Sequence, residues 1–432
     1  MTYPTATIDT VCSLIVDCVN KTAPKVSFPT PWKMLRTPNI RNGRIDTENV
    51  FYVDEATFRT WTRRAKLEPG DVILTREAPV GEVGLVREGE GFFLGQRLMQ
   101  YRADPGKMDP GFLFFALRSP YLSAQFHAHG GMGSVVDHLR VPDCSKFLVP
   151  APPLEIQREI SRILGALDDK IELNRKTSAT LEQMARALYR SWFVDFDPVR
   201  ARGEGRAAAH MDAATAALFP DSFGEDGLPA GWADGSLKDL IDFNPKERLP
   251  KGTVAPYFDM KALPTNGMIA DAPLLREFSS GTKFRSMDTL LARITPCLEN
   301  GKTAMIEGLS DDVVAWGSTE FIVMRPRSGT PVALPYCVAR DPLFREAAIA
   351  TMTGSSGRQR ADAGAISELA AAIPQRAVLD AFGRMVDPLI KRIHASGHEN
   401  RTLTTLRDTL LPRLMSGELR VGAARELIEE VA

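Results

Sequence analysis

The stretch Asp71-Val-Ile-Leu-Thr-Arg76-Glu-Ala-Pro79-Val-Gly-Glu82 returns 217 residues later as Asp288-Thr-Leu-Leu-Ala-Arg293-Ile-Thr-Pro296-Cys-Leu-Glu299. Asp71/Asp288, Leu74/Leu291, Arg76/Arg293, Pro79/Pro296 and Glu82/Glu299 coincide, where average composition would give about one identity by chance. The correspondence continues at a slowly growing offset: Ser119-Pro120 against Asp341-Pro342, Gly130 and Gly133 against Gly354 and Gly357, Leu181 and Ser191 against Leu406 and Ser416. So long a period does not suit a solenoid or propeller, and it points to duplication of a whole domain with its connector. Two such domains in one chain make a pseudo-dimer.

A chain of 432 residues with 44% hydrophobic content can bury a core in each half. Its formal net charge of −1 conceals 53 Lys and Arg, so any nucleic-acid surface has to come from local clustering. The N-terminus shows no basic start followed by an apolar run, and no apolar stretch approaches the length of a membrane span. A cytoplasmic protein is expected, with no membrane partner. The five cysteines have no metal-type spacing, which fits reduced thiols.

Each half opens with short β-like runs punctuated by Gly and Pro: Val72 to Thr75, Val83 to Val86, Phe92 to Leu94 and Leu98 to Tyr101 in the first, and runs around Leu290, Thr303, Val313 and Phe321 in the second. Helical stretches follow from Phe112 and again after Ser119-Pro120, repeated around Val332 and Leu343. The expected fold class is α+β, with two duplicated globular domains separated by a long antiparallel helical pair. The expected boundaries are a first domain over 1–152, a central helix over 153–198, a surface linker with one short helix over 199–230, a second domain over 231–374, a C-terminal helix over 375–420 and a tail over 421–432.

In the central segment Ile160, Leu167, Asn174, Leu181 and Leu188 recur at seven-residue spacing, a coiled-coil stripe. The C-terminal segment repeats it more weakly through Leu389, Ile393, Asn400, Leu403 and Leu410, with Pro388 and Pro412 expected to cap or kink the helix and Gly397 to loosen it. Two amphipathic helices could each pack on their own domain. About 35 residues at ~1.5 Å each reach roughly 50 Å, longer than such a domain is wide, which favours pairing the helices with each other. Asn174 and Asn400 near their middles would then fix the register.

Catalytic signatures are missing from the sequence. Glu299-Asn-Gly-Lys-Thr303 has the end of a phosphate-binding loop, but Pro296 stands where its leading glycine belongs. His394 and His398, four apart on a helix, lack a third metal ligand nearby and read as a solvated face. His127 and His129 are too sparse a pair for acid–base chemistry. No nucleophile elbow or dinucleotide fingerprint occurs, so the chain reads as a recognition or adaptor protein and not an enzyme.

The run Pro152-Pro-Leu-Glu-Ile-Gln-Arg-Glu-Ile160, with Leu167-Asp-Asp-Lys-Ile171, Asn174 and Ala187-Leu-Tyr-Arg-Ser-Trp-Phe-Val-Asp-Phe196, resembles the central conserved region of type I restriction-modification specificity subunits. Leu406-Arg-Asp-Thr-Leu-Leu-Pro-Arg-Leu-Met-Ser-Gly-Glu-Leu419 resembles the matching C-terminal region, whereas Pro374-Gln375-Arg376 keeps only a trace of the Pro-Leu-x-x-Gln pattern, leaving the start of the second helix open. The resemblance implies two target recognition domains, each reading one half of a bipartite asymmetric double-stranded DNA site. It also implies a helical pair that spaces them and recruits two methyltransferase subunits, with restriction subunits joining that core. No cofactor is implied on this chain; S-adenosylmethionine, ATP and Mg would sit on partner subunits. Because the two halves differ at most positions, the half-sites should differ too. The alternative is a coiled-coil scaffold that assembles partners without reading DNA.

Candidate DNA contacts follow from the duplication. Arg76 and Arg293 occupy equivalent places, as a phosphate contact or in a salt bridge to Asp71 or Glu82 and to Asp288 or Glu299. The loops Gly130-Gly-Met-Gly133-Ser134 and Gly354-Ser-Ser-Gly-Arg358-Gln359-Arg360 let backbone amides approach phosphate and offer donors for bases, or they are plain surface turns. Arg63 and Arg64, with Arg59, Lys66 and Trp61, form the densest basic cluster, a phosphate track or a solvated face. The candidate helix-pair positions are Ile160, Leu167, Asn174, Leu181, Leu188, Leu389, Leu403 and Leu410.

Overall fold

A computed structural model describes residues 2–130, 138–355 and 357–429. Two compact units divide the chain, one from Met1–Ile171 with Arg401–Ala432 and one from Glu172–Asn400. Both divisions fall inside the long helices, so each unit holds one globular domain together with part of each helix.

In the first unit the Val72–Arg76 strand lies between Leu98–Ala103 and Val80–Leu85 in an antiparallel sheet, with Cys12–Asp17 outside Leu98–Ala103. Its residues Val72 to Thr75 are all buried. Val72 and Leu74 join the core made by the Pro110–Arg118 and Pro120–Gly130 helices, while Ile73 faces Leu35, Phe92 and Leu94 of a smaller sheet. That is why the strand reads as an unbroken apolar run, since side chains alternate between two covered faces. The smaller sheet orders Phe51–Tyr52, Lys33–Leu35 and Phe92–Leu94, the last pair parallel. Asp109 caps the first helix by accepting from Phe112 N at 2.9 Å, and Pro110 fills the first turn, where a missing N–H is harmless.

The second unit repeats this plan. Its main sheet orders Ile241–Phe243, Phe321–Pro326, Thr289–Ala292 and Thr303–Met305, and the helices Leu334–Arg340 and Pro342–Ala350 cover it. Asp341 caps the second of these, accepting from Leu343 N at 2.8 Å. The smaller sheet places Leu274–Glu277, Val254–Phe258 and Ala315–Gly317 in the equivalent order and adds Thr282–Phe284 as a fourth strand. The first unit has the Glu55–Trp61 helix at the corresponding point of the chain. Here the two copies differ in backbone as well as in side chains.

The first long helix runs without interruption over Leu154–Phe193. The Pro-Leu-x-x-Gln pattern at its start has a structural reason. Gln157 is buried, donates to Pro152 O at 2.8 Å and to Lys107 O at 3.1 Å, and accepts from Asp109 N at 2.9 Å, binding the helix to its domain. The second long helix starts at Arg376 and continues to Ser416 straight through Pro388, Gly397 and Pro412. Neither proline caps the helix. A helical proline costs about 3 kcal/mol, and burying several side chains at roughly 1.5–3 kcal/mol each outweighs it. Val386, Ile390 and Ile393 flank Pro388 in this way, and Leu410, Leu411 and Leu414 flank Pro412. At Gly397 a Cβ would come within 2.3 Å of Ile269 Cδ1, so a larger residue would require that side chain to move.

Within the first unit Ile160, Ile163, Leu164 and Leu167 share a core with Leu410, Leu411 and Leu414, and Leu403 is half-buried beside them. Within the second, Asn174 meets Asn400 while Phe193 meets Phe382 at 5.0 Å between ring centroids. Residue numbers run in opposite directions, so the helices are antiparallel. Leu181, Leu188 and Leu389 are half-buried against this second core.

Two expectations for the connecting segments change. The 199–230 stretch, expected as a surface linker, forms the short helices Asp197–Gly203 and Ala213–Ala216 and sends Val199, Ala201 and Phe219 into the core, with Phe219 edge-on to Trp192 at 5.0 Å. The expected tail after 420 folds as the helix Val421–Glu429, with Ala424 buried and Val421, Leu427 and Ile428 packed on the first core.

Candidate nucleic-acid interface

The duplicated window encodes one local structure built twice. Asp71 is buried and accepts from Glu68 N at 2.7 Å, Gln100 Nε2 at 2.7 Å, and Arg102 Nε at 2.8 Å and Nη2 at 2.9 Å. Asp288 is likewise buried and accepts from Arg285 N at 2.7 Å and from Arg325 Nε at 2.6 Å and Nη2 at 2.7 Å. Hydrogen bonding to Asp71 raises the Arg102 guanidinium above its ordinary range, and bonding to Asp288 does the same for Arg325. The salt-bridge reading of Arg76 and Arg293 is therefore corrected: the aspartates of the motif pair with arginines on the adjacent strand. Leu74 and Leu291 fill the core, and the peptide bonds Ala78–Pro79 and Thr295–Pro296 are both cis. Glu82 accepts from Asn42 N at 2.8 Å, whereas Glu299 is exposed.

Arg76 and Arg293 stand at the same station. Arg76 N donates to Arg97 O at 2.8 Å and its carbonyl accepts from Leu139 N at 2.9 Å; Arg293 N donates to Glu320 O at 2.9 Å and its carbonyl accepts from Ala361 N at 2.8 Å. Arg76 Nη1 also donates to Leu139 O at 2.9 Å. In both arginines Nε is buried without a hydrogen-bond partner among the described residues. This backbone scheme brings three strand ends together in each domain, and the loops leading to Leu139 and Ala361 arrive there.

In the second domain contacts hold the described ends of that loop. Thr353 and Arg360 bridge its ends, and Thr295 N donates to Gln359 O at 3.0 Å. Arg360 grips Glu320 from Nε at 2.9 Å and Nη2 at 2.7 Å, which raises its guanidinium above the ordinary range. Arg358 is exposed at the tip. Sequence reasoning missed Glu320, which has no motif around it. Gly133 and Ser134 of the corresponding loop lie outside the described residues. In the first domain the ion pair beside Arg76 joins Arg97 Nε to Glu77 Oε2 at 2.9 Å.

The basic cluster is partly neutralised. Arg59 pairs with Glu55 at 2.7 Å, Arg64 pairs with Asp17, and Trp61 packs beside Trp32 and Phe51 while donating to Lys21 O at 3.3 Å. Arg63 is exposed. Such surface pairs are worth at most about 1 kcal/mol, so a phosphate can compete for these guanidiniums.

No group of three His, Cys, Asp or Glu side chains able to hold a metal occurs among the described residues. His394 is not on a solvated face: it is mostly buried, with Nδ1 3.4 Å from Glu307 Oε2. His129 lies edge-on to Phe147 at 5.7 Å, and Lys302 donates to Met260 O at 2.7 Å. No described helix is long and apolar enough to cross a membrane.

The family described as the type I restriction modification DNA specificity domain matches residues 42–183. The HindI specificity subunit of Haemophilus influenzae is 23% identical over 82% of this chain and 87% of its own length. The MjaIX specificity subunit of Methanocaldococcus jannaschii is 22% identical over 82% of this chain and 78% of its own. The crystal structure of the type I restriction-modification S subunit from M. genitalium superposes over 96% of both chains with a TM-score of 0.54 at 15% identity, so the fold is shared. The shared fold consists of duplicated α+β domains and two long helices. Over most of its length the chain is similar to type I restriction-modification specificity subunits.

Proposed function

We infer that the chain supplies DNA sequence specificity to a type I restriction-modification complex, each globular domain reading one half of a bipartite, asymmetric duplex target. The observation that carries this reading is the duplication itself. One strand order, one buried Asp–Arg pair and one arginine station recur in both domains, while the segments around them diverge. Shared positions suit phosphate contacts, which fix docking without reading sequence; divergent loops suit contacts to base edges. Two unlike readers in one chain imply two unlike half-sites.

The long helices would recruit two methyltransferase subunits, with restriction subunits added to that core, and S-adenosylmethionine, ATP and Mg would belong to those partners. The assembly would work in the cytoplasm. Binding should be measured on random duplex and on duplexes selected from a random pool, for the chain alone and with its methyltransferase subunits. Selection of one sequence class by the assembly supports this function. Equal affinity for all duplexes would instead make the chain a scaffold.

A further inference from the structure

The three strand ends beside Arg76 and Arg293 carry different charges in the two domains. The backbone contacts of Arg76 and Arg293 make Arg97 equivalent to Glu320. The bridges Glu77 to His138 and Ile294 to Arg360 make Glu77 equivalent to Ile294 and His138 equivalent to Arg360. One station therefore holds Glu, Arg and His in the first domain and Ile, Glu and Arg in the second. Each set contains one ion pair, Glu77 with Arg97 or Glu320 with Arg360, built from different backbone positions.

In both pairs the carboxylate is the more sheltered partner. Glu77 and Glu320 are 27% and 21% exposed, and Arg97 and Arg360 are 54% and 45% exposed. Glu320 takes one side of the Arg360 guanidinium through Nε and Nη2, and Glu77 takes Nε of Arg97. A guanidinium fixed from behind holds its outer donors in a set plane; in Arg360 the outer Nη1 makes only a long 3.5 Å contact, to Arg358 O. Such a pair is neutral overall, so it adds little to the counterion release that drives non-specific binding. A carboxylate beside the DNA backbone is unfavourable unless it orients something. An arginine fixed in this way suits the N7 and O6 acceptors of guanine in the major groove, which demand two donors in one plane.

We propose that Arg97 in the first domain and Arg360 in the second each read one guanine of their half-site, positioned by Glu77 and Glu320. This rests on the DNA-reading function above. The guanidinium reaches the DNA from the turn before a strand in one domain and from the end of a loop in the other. The same device therefore meets a different position in each half-site.

The test uses the complete chain assembled with its methyltransferase subunits and recovers the preferred duplexes from a random pool. The wild-type assembly should yield two half-sites, each with a required G·C pair. Arg360→Ala should relax one G·C position of one half-site by roughly tenfold to a hundredfold, leaving the other half-site and the salt dependence unchanged. Arg97→Ala should do the same in the opposite half. Arg97→Lys, which keeps the charge but loses the planar fork, should relax that position too, and Glu320→Gln should relax the Arg360 position less. Uniform weakening on all sequences with a shallower salt slope would show phosphate contacts and overturn the proposal. Unchanged preferences in the variants would also overturn it while leaving the wider function standing. A wild-type assembly without any preference would sink both.

Discussion

Asn174 donates through Nδ2 to Asn400 Oδ1 at 3.0 Å, and the same amide reaches Glu399 Oε2 at 2.9 Å. Asn174 is buried on the apolar stripe, so a one-heptad slip would set its amide against Ile393 or Arg407 and break the pair with Asn400.

Replacing Asn174 alone by Leu should lower stability by about 1–3 kcal/mol, because its partners lose a buried donor. The double change of Asn174 and Asn400 to Leu should recover that loss in thermal melts, at the expense of a unique register. A double variant that melts no higher than Asn174→Leu would show that the asparagines are not coupled.

Asp168 joins two guanidiniums, Arg118 at 2.8 Å and Arg407 at 2.6 Å, all three largely sheltered. Burial pushes the Arg118 guanidinium below its ordinary range, and Asp168 is the main charge opposing that. Asp168→Ala should cost about 3 kcal/mol by leaving two facing cations. Arg407→Ala keeps the pair with Arg118 and should cost less. Equal urea midpoints for the two variants would contradict this ranking.

The two buried aspartates should respond unequally to loss of their arginines. Without Arg102, Asp71 keeps Gln100 and a backbone amide; without Arg325, Asp288 keeps the backbone amide of Arg285. Arg325→Ala should therefore destabilise more than Arg102→Ala, by about 1 kcal/mol for the missing hydrogen bond.

Acid should weaken the same region. Burial alone would raise the Glu247 carboxyl, but hydrogen bonds from Arg325 and Arg285 outweigh it and hold the group below its ordinary value of 4.5. Its stabilisation is complete above that value and is lost as pH falls through the lower folded-state value. Glu247→Gln should flatten the acid limb of a stability–pH curve.

Thiol chemistry offers a probe of the interface. Burial raises the Cys12 thiol to about 12 and the Cys144 thiol to about 11, and raises Cys18 and Cys337 as well. Cys297, which is half-buried, should react first with a disulfide reagent at pH 8, and Cys297→Ser should remove the fast phase. In the assembled complex, cognate duplex should slow Cys297 labelling more than random duplex does.

Legibility followed the physics of each element. The Val72–Arg76 and Thr289–Ala292 strands and the helices behind them were visible because their apolar runs are long and bounded by Gly and Pro. The smaller sheets were visible in part, through Phe92–Leu94 and the run leading into Ala315–Gly317, whereas Lys33–Leu35 and Phe51–Tyr52 are too short for any period to show. The heptads located both long helices and the Asn174–Asn400 contact. The second long helix continues past Pro388 and Pro412, because local propensity carries no information about tertiary burial. At the candidate interface, Arg293 and Arg360 stood out by repetition and loop composition. Arg97, Glu77 and Glu320 did not, because their pairing joins strand ends distant in sequence.

The central claim is that one chain carries two different DNA readers. It is tested most directly by mapping methylated bases across the genome of cells that express this chain with its methyltransferase subunits. One bipartite motif is expected, with two unequal specified halves and a fixed unspecified gap. A palindromic or continuous motif, or methylation without any motif, would contradict it.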